Sequence, residues 1–330
     1  MVTSMMDHVV ELPAQLRWGI DLGVTGQVTD RPVVLLGMGG SAMAATVAGL
    51  ATTGSAPVIV HRSYGLPGWA EEAGAVVVAV SYSGNTEEVL SGVDVALSAH
   101  LDVSIVASGG RLAEIASERG FPIALVPAGL QPRAGVGYQT AAVAKVLEAF
   151  GLIADASGQL AEAADVVEVL LGNGDGPAVE QGTTVAKGLE NRTAIIYGGY
   201  GVGSTAAYRW KTQLNENAKV PAYAGVVPEM NHNELEGWRG PAAERFTIVY
   251  LTDEHDHPRI LRRMELSAAT IPVAATATVA SSGAGPLARF FSLAVVGDVA
   301  SVAVAENAGT DPMPVDILEG FKTTLRKENQ

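Results

Sequence analysis

Residues 75–90 read AVVVAVSYSGNTEEVL, an apolar run that ends in hydroxyls, a glycine and two acids, with no basic residue. Ala75 to Val80 show no alternation of apolar and polar positions, which suits a strand buried on both faces of a parallel sheet. Beyond it, Asn85 or Thr86 is placed to cap a helix. Glu87 and Glu88 fall in its first turn, and Val89, Leu90, Val93 and Leu97 supply a periodic apolar face. Ser81, Ser83 and Thr86 therefore sit where a strand hands over to a helix. Unpaired backbone N–H groups at a helix start attract anions, and hydroxyls beside them complete a cradle of phosphate size. These residues alone read equally well as an ordinary hydroxyl-rich cap.

The same order of strand, turn and helix recurs along the chain. Val33–Leu36 runs into GMGGSAMAATVAGL, followed by PVIVHR, the 75–90 unit, VSIVAS and FPIALVP, with helical stretches between them. Five short apolar strands separated by helices predict a parallel sheet covered on both faces. Residues 157–175 read as a connecting helix that breaks in LLGNGDGP. A second block restarts with Thr193–Tyr197 and GGYGVGSTAAYRW, then RFTIVYLTDE and TIPVAATATV. The expected class is α/β, with two tandem domains, each a parallel sheet flanked by helices. Residues 1–155 form the first, 156–180 the connection and 181–330 the second. FFSLAVVGDVASVAVA at 290–305 is apolar but short and contains Asp298, so it reads as a buried helix.

Composition narrows the function classes. With 330 residues, 48% hydrophobic and 17% charged, the chain has material for two cores. A net charge of −14 opposes binding to nucleic acids and anionic membranes, and 5% aromatic residues leave little for base stacking. A small anion must then be held by local donors. The absence of cysteine excludes disulfides, thiolate nucleophiles and thiolate metal sites. The start, MVTSMMDHVVELPAQL, lacks the basic and apolar order of a secretory signal, so the cytoplasm is the expected location.

Two rival chemistries have some footing. Gly37, Gly39 and Ala42 satisfy G-x-G-x-x-A between a strand and a helix, the context of a dinucleotide fingerprint. The next strand, however, ends in His61 and Arg62 where an acid is wanted, which leaves an NADP-dependent dehydrogenase as the form of that reading. Gly39, Gly40 and Ser41 serve a monophosphate or a sugar hydroxyl equally well. DEHDHP at 253–258 holds His255 and His257, but polar residues before a proline suit a solvated loop. No H-x-x-E-H or H-E-x-x-H motif occurs, and neither a metal nor an organic cofactor is expected.

GMGGSA with SYSGNTEE about forty residues later resembles the phosphosugar-binding signature of sugar isomerase (SIS) domains. More narrowly, PRAGVGY at 132–138, LNENAK at 214–219, NHNELEGW at 231–238 and DPMPVDILEGFK at 311–322 resemble the bifunctional phosphoglucose/phosphomannose isomerases. The resemblance implies a hexose 6-phosphate substrate whose phosphate is held by Ser81, Ser83 and Thr86. It implies Glu216 as the base, Arg133 beside the reacting carbons, and His232 and Lys322 for ring opening. It also implies a homodimer whose sites borrow a histidine from the neighbouring subunit. Aldose–ketose isomerisation asks for such types: a carboxylate to move a proton between C1 and C2, and a fixed cation to stabilise the enediolate. A sugar-phosphate-binding regulator would need none of the four as a set. Ala42 stands where many relatives have glycine, which matters only if the backbone there requires a positive φ.

Overall fold

The uninterrupted apolar runs become the central strands of two parallel sheets in the computed structural model, which describes residues 4–328. Two short helices, α1 (Met5–Val10) and α2 (Leu12–Trp18), precede the first sheet. That sheet contains β1 (Val33–Leu36), β2 (Val58–His61), β3 (Val76–Ser81), β4 (Val103–Ala107) and β5 (Ile123–Leu125), ordered β2-β1-β3-β4-β5. Every residue of β1, β3 and β4 is buried, as the lack of alternation requires, while the edge strand β2 is partly open. The interleaved helices are α3 (Gly39–Gly49), α4 (Glu87–Ser98), α5 (Gly110–Arg119) and α6 (Val136–Ala149).

Helices α7 (Ala156–Leu171) and α8 (Pro177–Gly188) lead to the second sheet. It holds β6 (Thr193–Gly199), β7 (Ala222–Val227), β8 (Phe246–Thr252) and β9 (Ala275–Ala280), ordered β7-β6-β8-β9 and parallel throughout. Strand β7 is an addition to the sequence reading. Its AYAGVV segment lies at the sheet edge with Tyr223 and Ala224 exposed, so it shows neither an apolar run nor a regular alternation. The remaining helices are α9 (Val202–Glu216), α10 (Pro258–Thr270), α11 (Pro286–Asn307) and α12 (Asp316–Glu328).

One buried cluster runs from Met5 to Ala305 and takes in helices flanking both sheets. Trp210 of α9 is fully buried in it and donates its indole N–H to the Leu293 carbonyl of α11 at 2.8 Å. By length and composition α11 could cross a membrane, but 83% of its apolar stretch is buried inside the protein. It is the core helix against which α7, α8 and α9 pack.

Candidate active site

The chain runs from β1 to β2 on one side and then returns to place β3 on the other. The loops after β1 and β3 consequently diverge, and the crevice between them is where ligands bind in open parallel sheets. Both phosphate-loop candidates lie there. Ser81 ends β3 in a buried position, with its hydroxyl 2.8 Å from the Thr86 hydroxyl. Thr86 is the N-cap of α4 but makes no side-chain bond to its N–H groups, so this helix start keeps donors for an anion. Ser83 is exposed, and its Oγ accepts from the Asn85 N–H at 3.2 Å.

The turn after β4 holds this loop from behind. Gly84 has φ +67, and any side chain there would strike the Gly109 carbonyl. Asn85 bridges the two loops: its amide donates to the Ser83 carbonyl at 3.0 Å, and its Oδ1 accepts from the Arg111 N–H at 3.0 Å.

Ser41 plays a different part from its neighbours. It is buried, donates to Gln139 Oε1 at 2.7 Å and accepts from the Tyr82 N–H at 3.0 Å, so its hydroxyl is a strut between loops. Gln139 in turn donates to the Pro132 carbonyl at 2.9 Å. Gly39 opens α3 with φ +50, and Gly40 lies so close to the 132–133 peptide that a Cβ would come within 2.9 Å of the Pro132 oxygen. Ala42 does not have positive φ, so an alanine fits there without strain.

Through these contacts the loops after β1 and β3 and the segment carrying Arg133 form one unit. The Arg133 side chain is only 4% exposed, yet it is held by polar partners. Its Nε donates to Asn217 Oδ1 at 2.8 Å, and its Nη2 donates to the carbonyls of Pro312 and Met313 at 2.8 and 3.0 Å. Its Nη1 faces Glu216 Oε2 at 3.5 Å, bringing together residues 83 apart in sequence. Burial pulls the guanidinium below its ordinary pKa, the Glu216 carboxylate pulls it back up, and Arg209 adds to the lowering. Glu216 is the last residue of α9, off the buried stripe of Ala206, Ala207, Trp210, Leu214 and Ala218. Its side chain is 28% exposed, so the carboxylate that faces the arginine stays partly open to solvent.

Asn217, Gln139 and Arg209 are supporting residues that the motif reading did not single out. A signal for two of them was present: Arg209, Gln213 and Asn217 recur every four residues on α9 and are all buried. This polar stripe faces α11, where Arg209 pairs with Asp298 at 2.7 Å and Asn217 donates to the Ser301 hydroxyl at 2.9 Å. Lys219 stands nearby, donating to the Glu216 and Pro314 carbonyls. Burial and the Arg133 charge lower its pKa.

The structure does not bring His232 or Lys322 to this pair by any hydrogen bond or ion pair. His232 lies in the 229–232 turn after β7 and is exposed, although its loop is anchored. Asn231 donates to Ser267 Oγ at 2.8 Å, and the Tyr197 hydroxyl donates to Glu234 at 2.6 Å. Lys322 is exposed on α12, while the segment just before that helix accepts the bonds from Arg133. His257 caps α10, accepting the Arg259 N–H at 3.1 Å. Among the described residues no group of three or more His, Cys, Asp or Glu is arranged to hold a metal. Arg62 donates to the Thr46 hydroxyl at 2.6 Å.

This architecture defines the class: a double SIS-type phosphosugar isomerase fold. The C-terminal domain of a glucosamine-fructose-6-phosphate aminotransferase from Francisella tularensis superposes with a TM-score of 0.74, covering 95% of this chain and 99% of that one at 13% identity. Residues 178–325 match the family described as bacterial phospho-glucose isomerase C-terminal SIS domain. A bifunctional phosphoglucose/phosphomannose isomerase from Caldicellulosiruptor bescii is 35% identical over 97% of this chain and 98% of its own length. One of the same description from Aquifex aeolicus is 33% identical over 89% and 90%. The chain belongs to the bifunctional phosphoglucose/phosphomannose isomerase family.

Proposed function

We propose that this protein is a cofactor-free aldose–ketose isomerase that interconverts fructose 6-phosphate with glucose 6-phosphate and mannose 6-phosphate. The observation that carries the reading is the Arg133–Glu216 pair, a buried and fully anchored cation 3.5 Å from a partly open carboxylate. The phosphate sits at the uncapped start of α4 among Ser81, Ser83 and Thr86, with Gly39 and Gly40 opposite and Ser41 bracing the loops. His232 and Lys322 open the ring. Glu216 takes the proton from the carbon next to the carbonyl and returns it to the neighbouring carbon. The charge that develops on the enediolate meets Arg133, which cannot itself give up a proton in this range. Since Arg133 is already oriented before substrate arrives, little reorganisation is needed in the transition state.

The assembly is read as a cytoplasmic homodimer of chains built from domains 1–155 and 181–330, with His232 donated across the interface. Exposed Ile317, Leu318 and Phe321 on α12 and the exposed, anchored His232 loop support that reading. A coupled assay with the three sugar phosphates, with and without chelator, tests the function. Turnover of at least one, unaffected by chelation, is expected. Loss on chelation that zinc restores would move the chemistry elsewhere, with His255 and His257 first in line.

A further inference from the structure

Beneath Arg133 lies a polar cluster that the proposed chemistry does not use. His8 of α1, Arg209 and Gln213 of α9 and Asp298 of α11 line a small cavity together with Arg133 and apolar side chains from the N-terminal helices. All four are at least nine-tenths buried. His8 Nδ1, Arg209 Nε, Gln213 Oε1 and Asp298 Oδ1 make no hydrogen bond to protein atoms, with His8 Nδ1 lying 4.0 Å from the Glu11 carboxylate. Four such atoms around one cavity are more than chance burial explains, because buried polar groups are nearly always paired. The cavity offers about 10 Å³ to the centre of a water molecule, enough for a single one.

We infer that this cavity binds a structural water and that Arg209, as part of the hydrated cluster, positions Arg133. A water that donates to Gln213 Oε1 and Asp298 Oδ1 and accepts from Arg209 Nε–H and His8 Nδ1–H would satisfy the four unpaired atoms of this cavity. Arg209 also links the cluster to the active site. Its Nη2 donates to Asp298 Oδ2 at 2.7 Å and reaches the Arg133 carbonyl at 3.5 Å. The backbone from which the reactive arginine projects is thus tied to a buried, hydrated ion pair. The positioning role rests on the assignment of Arg133 above; the water site does not.

A crystal structure of the full chain that resolves ordered solvent tests the site directly. Density for a water within hydrogen-bond reach of Arg209 Nε and Asp298 Oδ1 is expected, and a dry cavity overturns the site. Kinetics test the positioning role through the double variant Arg209→Met/Asp298→Leu, which removes both charges so that neither is left buried alone. Its KM should hold while kcat falls about tenfold or more, because small displacements of an oriented group are expensive in rate. An unchanged kcat in the folded variant overturns the positioning role. Should the double variant not fold, Gln213→Leu removes a water partner and keeps the ion pair; the same split in kcat and KM is expected, and an unchanged kcat again overturns the proposal. Wild-type turnover is measured alongside, so a failure of the isomerase reading appears as an inactive parent rather than as a dry cavity.

Discussion

Replacing Arg133 with lysine keeps the positive charge and removes the geometry, so it isolates what the oriented guanidinium contributes. Its three donors now tie the 132–133 segment to two elements: Glu216 and Asn217 at the end of α9, and the carbonyls of Pro312 and Met313 before α12. A lysine ammonium is a single point donor and cannot span all of them. Hydrogen bonds to a charged group are worth about 1.5–3 kcal/mol each, so the loss of one or two costs roughly 1.5–6 kcal/mol locally. Removing one preorganised donor from a developing anion costs about 10²–10³ in kcat. The expected outcome for Arg133→Lys is a kcat loss of that order with KM for fructose 6-phosphate changed little, because the proposed phosphate contacts lie on other loops. Steady-state kinetics and urea denaturation on the same preparation measure both effects. A variant that keeps wild-type kcat within about threefold would refute the reasoning, since a mobile ammonium would then do the work assigned to a fixed fork.

Other outcomes follow from the same geometry. If Ser83 and Thr86 hold the phosphate as proposed, Ser83→Ala and Thr86→Ala should mainly raise KM for the phosphorylated sugar, because the phosphate does not change during reaction; initial-rate kinetics decide it. If His232 acts across a dimer interface, refolding equal amounts of Glu216→Gln and His232→Ala chains together should restore roughly a quarter of wild-type activity, since half the dimers carry one intact site. No recovery would place both residues in one chain. Burial, together with the Asp253 charge, pushes the Asp256 carboxyl from 3.8 up to about 6. A raised carboxyl stabilises the fold below its unfolded value and loses that contribution as pH rises through about 6, so the ionised Asp256 is a destabilising charge at neutral pH. Asp256→Asn should therefore be more stable than wild type at pH 8, with the advantage gone below pH 4, as denaturation at both pH values would show.

The central strands and α11 were legible because burial on both faces leaves an unbroken apolar run, as in Ala75–Val80. Strand β7 was not, because an edge strand of AYAGVV owes its place to backbone pairing with β6 rather than to side-chain pattern. The hydroxyl loops could be placed at strand–helix junctions from sequence, but the crevice they share depends on strand order, which no local signal encodes. Ser41 illustrates the limit. Its type and position suited a ligand contact, whereas the fold brings Gln139 and Tyr82 to its hydroxyl from 98 and 41 residues away. Glu216 and Arg133 came from motif resemblance, and each alone looked like a surface charge. Arg209, Gln213 and Asn217 were overlooked because three polar residues on a helix read as its wet face until α11 covers them.

Solvent exchange by the Glu216→Gln variant tests the central claim most directly. Wild-type protein incubated with fructose 6-phosphate in D2O should place deuterium at C2 of the aldose product, read by NMR, because the proton passes through a carboxylate that exchanges with solvent. Glu216→Gln preserves shape, should bind the sugar phosphate nearly as well by calorimetry, and should lose both turnover and deuterium incorporation. If that variant binds substrate and still exchanges at the wild-type rate, Glu216 is not the base and the mechanism built on its pairing with Arg133 is wrong.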